Sequence, residues 1–420
     1  MKTYIFLLLF IISGSLFPYI DPGTGSALFS VILAILGTLF FLLKAFIIKI
    51  KTFSFVRNKD KDKDKDIDKK AKIIIYGEDK RYYNLFKPIV EELIKLQIPI
   101  VYYSMSEDDN IFNIESEYLH SEYIGIGNKA YAKLNFIEAD ICLMTTPNLD
   151  VFQLKKSKGV KKYVHITHSP GSIGVYKMYS LDFFDCVFLN GGHQIADIRE
   201  LEKLRNTKEK DLYVVGSPYL DELLKNINNN KAKEDSVLIA PSWGPNGLLR
   251  KFGRKIIDSL KKLNYNIIVR PHPQSLITEK YIIKELKDIY QDSIEWDYNS
   301  DSSYSFVRSK VMVSDFSGVI FDYSFLCEKP VFIPYFEYSK EGFESYFLKD
   351  DIWQFKTLPK ISVNFNENDI DKLNEIIEKS LNDKKLKEEI LKAKKEAYSN
   401  IYNGGKLSAN ILSDMLTNEK

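Results

Sequence analysis

Residues 311–333 read VMVSDFSGVIFDYSFLCEKPVFI, and this stretch decides the fold. Val311, Met312 and Val313 form a short apolar run that ends at Ser314 and Asp315, the pattern of a buried strand. After Ser317 and Gly318, apolar residues recur at helical spacing: Val319, Ile320, Tyr323, Phe325 and Leu326. Glu328, Lys329 and Pro330 stop that helix, and Val331, Phe332 and Ile333 open a new strand. Strand, tight turn, helix and strand make a parallel βαβ unit. Its turn places Ser314, Asp315, Ser317 and Gly318 between the carboxyl end of a strand and the amino end of a helix. Unpaired N–H groups and the helix dipole suit that position to phosphate.

Working outward, the pattern repeats. Strands are expected at 236–240 and 266–270, with helices at 247–263 and 280–290. Upstream, strands are expected at 73–76, 98–103, 123–126, 141–144, 163–167, 186–189 and 212–215, with helical segments between most of them. Apolar strands alternating with helices indicate parallel, doubly wound sheets buried on both faces. The polar run KNINNNKAKE at 225–234 reads as the link between two halves, and amphipathic helices at 368–381, 384–397 and 406–416 close the chain. The α/β architecture expected is GT-B-like: two Rossmann-type domains, 71–230 on the acceptor side and 231–420 on the nucleotide-donor side, facing a cleft.

The amino terminus differs. Residues 27–48 form an apolar run with Lys44 as its one charge, long enough to cross roughly 30 Å of hydrocarbon. A shorter run at 4–12 reads as a signal core or the first arm of a hairpin. Lys49, Lys51 and Arg57 follow the second run, so the positive-inside rule puts the rest of the chain in the cytoplasm. Residues 1–50 are therefore expected to anchor the protein in the cytoplasmic membrane. The segment 51–70 contains KDKDKDKDIDKK, has almost nothing apolar to bury and reads as a charged tether. The net charge of +2 gives no electrostatic case for nucleic acid. The three cysteines, Cys142, Cys186 and Cys327, lie far apart in apolar runs and read as core thiols. No metal-binding spacing occurs, and no cofactor is implied.

Polar residues cluster at expected strand ends. His168 in HITHSPGS ends a strand before a Pro-Gly turn, where a histidine suits general-base work. His165, inside the same strand, reads as a core residue. His272 stands between Pro271 and Pro273, which restrict its backbone, and Arg270 beside it can supply charge to a phosphate. Ser242 and Trp243 follow another strand; Trp243 suits base stacking and interdomain packing equally.

With these segments in order, the chain resembles the CDP-glycerol glycerophosphotransferase family of teichoic-acid polymerases and their relatives. The resemblance rests on HSPG at His168, VVGSPYLDEL at Val214, LIAPSW at Leu238, VRPHP at Val269 and the segment from Ser314. It implies a GT-B fold, a CDP-glycerol or similar CDP-alcohol donor, and a membrane or lipid-linked acceptor. It implies His168 as base, His272 near the donor diphosphate and Ser317 in the phosphate-holding turn. Two positions depart from the family's usual pattern: Ser169 where glycine is common, and Gly244 where arginine follows the tryptophan. Ser169, with Ser242 and Trp243, is thus a candidate acceptor contact. A nucleotide-sugar glycosyltransferase and a nucleotide-sugar epimerase remain alternatives on the same fold.

Overall fold

The computed structural model describes residues 35–39, 43, 71–230, 232–299, 301–335 and 338–417. The expected membrane runs and tether at 1–70 lie almost wholly outside these residues. Among the described residues no helix is long and apolar enough to cross a membrane.

Residues 71–417 contain two parallel sheets. The first joins β1 (Ile73–Gly77), β2 (Ile100–Ser104), β3 (Leu119–Tyr123), β4 (Glu138–Met144), β5 (Gly159–Ile166), β6 (Cys186–Leu189) and β7 (Asp211–Val214) in the order β3-β2-β1-β4-β5-β6-β7. The second joins β8 (Ser236–Ala240), β9 (Asn266–Val269), β10 (Glu295–Trp296), β11 (Ser309–Ser314), β12 (Val331–Pro334) and β13 (Ser362–Phe365) in the order β10-β9-β8-β11-β12-β13. Each sheet reverses its winding once, between β1 and β4 and between β8 and β11. At such a point the loops diverge and leave a crevice beyond the carboxyl ends of the strands. The central strands β1 and β8 are buried along their whole length, which is why they read as unbroken apolar runs.

The helices follow the 3.6-residue period. In α1 (Tyr83–Lys95), Leu85, Phe86, Ile89, Val90 and Leu93 form the buried stripe. The other helices used below are α2 (Asn128–Leu134), α3 (His193–Arg205), α4 (Pro218–Asn229), α5 (Leu248–Leu260), α6 (Lys280–Tyr290), α7 (Val319–Cys327), α8 (Trp353–Ile361), α9 (Lys384–Ala397) and α10 (Gly404–Thr417).

Three expectations are corrected. The strand expected at 123–126 is β3, four residues earlier, because only Leu119–Tyr123 pairs in register with β2. The asparagine-rich link begins later than expected. Helix α4 runs through Asn229, started by Ser217, whose side chain accepts from Leu220 N, and by Pro218 in the first turn. Finally, the carboxyl-terminal residues do not all belong to the second half. Ala409, Leu412 and Met415 of α10 enter the same core as Leu85, Phe86 and Ile89 of α1, so the chain returns to the first sheet. The crossing is held by Asp221 of α4, whose carboxylate accepts from Tyr402 N at 2.6 Å and Gly404 N at 2.9 Å. The cysteines are unpaired thiols, Cys142 and Cys186 in the core and Cys327 partly buried.

Candidate functional site

His168 follows β5 and is half-buried between Tyr82, with ring centroids 5.2 Å apart, and Tyr176, stacked at 6.3 Å. Its Nδ1 lies 2.9 Å from Thr145 Oγ1. The single hydroxyl proton of Thr145 is donated to Ile166 O at 2.7 Å. Thr145 therefore accepts from His168 Nδ1–H, and this network assigns the lone pair to Nε2. Burial, and then the charge of Arg81, push the His168 imidazole down to about 4. It is neutral near pH 7, with a free nitrogen able to take a proton.

His272 has the opposite tautomer. Its Nδ1 accepts from Gln274 N at 3.1 Å, which leaves the proton on Nε2. Burial, followed by the charge of Arg81, lowers its pKa, against a smaller opposing effect of Glu279. A neutral His272 thus presents an N–H donor. Trp243, about half exposed, lies 6.3 Å from its ring.

Arg81 acts on both histidines although it belongs to the loop after β1, far away in sequence. Its Nε pairs with Asp79 Oδ1 at 2.9 Å, and its side chain stays about half exposed. Sequence reading missed it. The only signal was its place in the polar run after the first buried strand, beside the switch point.

The quoted turn divides into two parts. Ser314 and Asp315 are buried beneath it. Ser314 Oγ donates to Ala240 O at 2.6 Å. Asp315 Oδ1 accepts from Ser242 N and Oδ2 from Leu248 N, both at 2.7 Å. These two residues, expected at the donor phosphates, instead tie the turn to the loop after β8. Asp315 is consumed because the amides of that loop need acceptors, and Ser314 because the Ala240 carbonyl needs a donor. Ser242 enters the site region through its backbone. Ser317 is half-buried and Gly318 exposed at the start of α7, which has no side-chain cap. Ile320 N and Phe321 N already donate to Ser317 O and Gly318 O, so Gly318 N and Val319 N are the amides at this helix start suited to an anion. A Cβ built on Gly318 would come 3.4 Å from Ser169 Oγ. The turn of one half therefore touches the histidine loop of the other, and Ser169 sits at that contact.

Arg270 is also partly engaged: its Nη1 donates to Asp297 Oδ2 at 2.7 Å, and Asp297 is buried. The ion pair fixes the Arg270 guanidinium on the buried Asp297. His165 is fully buried, edge-on to Phe184 at 5.0 Å, with neither ring nitrogen hydrogen-bonded. It is a core residue, as its place inside the strand suggested.

A pair of doubly wound sheets, with histidines of complementary tautomer on loops from each half, defines a GT-B-like α/β class. Solved structures share this fold. A variant of the wall teichoic acid polymerase TagF soaked with CDPG is similar with a TM-score of 0.57 and 16% identity, covering 90% of this chain and 96% of that one. The UDP-GlcNAc 2-epimerase of Methanocaldococcus jannaschii has a TM-score of 0.52 at 15% identity, covering 81% of this chain and 99% of that one. In sequence, the minor teichoic acid biosynthesis protein GgaB of Bacillus subtilis (strain 168) is 29% identical over 179 residues, 36% of this chain and 18% of that protein. The chain thus spans under a fifth of the length of this curated relative. The profile of the CDP-glycerol:poly(glycerophosphate) glycerophosphotransferases matches residues 194–413, more than half of the chain. The protein belongs to that family.

Proposed function

We propose that this protein transfers glycerol phosphate from CDP-glycerol to a hydroxyl of a cell-envelope acceptor. The observation that carries the reading is the pair of histidines: His168 offers a lone pair from the first half, and His272 offers an N–H from the second. Family membership and the likeness to TagF support a CDP-linked donor.

In this mechanism the donor diphosphate lies on the amino end of α7, at Ser317 and Gly318. His272 Nε2–H and the Arg81 guanidinium meet its charge, where preorganised donors stabilise the transition state without reorganising. His168 Nε2 removes the acceptor hydroxyl proton. The acceptor oxygen forms a bond to the distal phosphorus, the bond from that phosphorus to the bridging oxygen breaks, and CMP leaves with the electron pair. Arg270, held by its ion pair with Asp297, adds positive charge on the donor side. The apolar run at 27–48 would hold the enzyme at the cytoplasmic face of the membrane, beside a lipid-linked acceptor.

The test is CMP release from CDP-glycerol with a membrane extract as acceptor. His168→Ala and His272→Ala should each lower the rate by roughly 10²–10⁴-fold. Unchanged release in both variants overturns the mechanism. Turnover of a UDP-sugar without acceptor, and none of CDP-glycerol, selects an epimerase instead.

A further inference from the structure

The first turn of α3 encloses the loop that carries His168. Gln194 there is fully buried. Its Nε2 donates to Gly171 O at 2.7 Å and to Ser169 O at 3.4 Å. Its Oε1 accepts from Asn190 N at 2.9 Å, while the Thr167 hydroxyl, 3.4 Å away, sends its one proton to Phe188 O at 3.2 Å. Two carbonyls on one side and a backbone N–H on the other assign the amide orientation. Ser169 directly follows His168 and Asn190 follows β6, so one amide ties the chain just after His168 to the end of the neighbouring strand. His193 extends the grip by donating from Nε2 to Pro170 O at 2.9 Å. From the second half, Gln354 N donates to Ser172 Oγ at 2.9 Å, and Gln354 Oε1 accepts from Ser172 N at 3.3 Å. The loop is held along its length.

We propose that Gln194 is a positioning residue for His168. Its amide fixes the backbone that follows His168, so that Nδ1–H stays on Thr145 and Nε2 turns toward the acceptor hydroxyl. Released from Gln194, the loop can shift without unfolding, and a displacement of about 1 Å at a reacting group costs on the order of 10²-fold in rate. The inference rests on the proposed role of His168 as base.

The experiment compares the full chain with Gln194→Met, which keeps the buried volume but removes the amide, and with Gln194→Glu, which sets an oxygen against two carbonyls. The first readout needs no turnover: ¹⁵N NMR of the His168 ring at pH 7. The wild type should show the Nδ1–H tautomer, and both variants a mixture. The second readout is CMP release. Gln194→Met should lower kcat by roughly 10- to 100-fold, leave KM for CDP-glycerol within about twofold, and have no effect in a His168→Ala background. A retained tautomer with retained kcat overturns the proposal. So does an equal loss in the His168→Ala background, which marks a general structural role. If one variant does not fold, the other decides by the same readouts; if neither folds, Gln194 belongs to the core and the proposal falls. If the wild type releases no CMP, the proposed function fails, while the tautomer comparison still decides the positioning.

Discussion

At the scale of single residues, the site is defined by where protons sit. An ordinary histidine loses its proton near 6.5. With His168 held down to about 4, the acid limb of kcat/KM for CMP release should lie well below pH 6, where a solvent-exposed histidine base would already have lost most activity. A pH–rate profile checks this, and an acid limb centred at 6.5 contradicts the description of His168. His165 carries the complementary prediction for stability. Burial pushes it down to about 3, so between pH 6.5 and 3 the unfolded chain binds a proton that the folded chain does not. Stability therefore drops as pH falls through this window. His165→Phe removes that uptake. Relative to wild type, the variant should gain about 2 kcal/mol between pH 7 and pH 5, measured by denaturant titration at both values.

At the scale of elements, glycine at 216 illustrates why a motif has its residues. Gly216 has a φ of +90°, and a Cβ there would lie 2.3 Å from Ser399 O, on the segment that carries the chain back to the first half. An L side chain is strained by the angle and blocked by a backbone atom. Gly216→Ala should cost at least about 2 kcal/mol, read as a lowered denaturation midpoint, whereas an unchanged midpoint would mean that the crossing relaxes freely. The VVGSPYLDEL motif around it thus serves the fold: Gly216 admits the crossing segment and Asp221 caps it. Its recurrence among the motifs that suggested a transferase reflects that structural demand. By contrast HSPG and VRPHP carry the two histidines that the proposed mechanism uses.

At the scale of the whole molecule, the halves are joined by more than the turn. The segment between β12 and α8 carries Glu344 onto the first half. There its buried carboxylate binds the Arg205 guanidinium and accepts from Ser180 N at 2.8 Å and Ser180 Oγ at 2.9 Å. Arg205 is also stacked between Tyr179 and Phe347 and paired with Asp182. Removing Glu344 leaves Arg205 with Asp182 alone and the buried Ser180 N–H without its acceptor, so Glu344→Ala should cost about 2 kcal/mol. Calorimetry should show the single transition broadening or splitting as the halves uncouple, and one sharp unshifted transition would refute a joining role. The aromatic cavity of about 390 Å³ between β12 and α8 lies next to this segment. Tyr338 and Phe355 line it and pack on Phe316 of the quoted turn.

The sequence by itself determined the parallel, doubly wound character of both halves, most of their strands and helices, and the strand ends at which the histidines stand. Those features follow from local periodicity, and a strand buried on both faces writes an apolar run whatever its neighbours are. The edge strands β10 and β13 and helix α8 came only with the structure. Only the tertiary structure decided what the polar residues do. Ser314 and Asp315 looked like donor ligands until the loop after β8 supplied their partners. The proton of His168 is placed by Thr145, and the backbone after it is gripped by Gln194, neither adjacent in sequence. Arg81 arrives from the first switch point, and α10 returns across the whole chain. A hydrogen bond or a charge acts over a few ångströms of space, so its partner is fixed by packing and leaves no periodic mark in the chain.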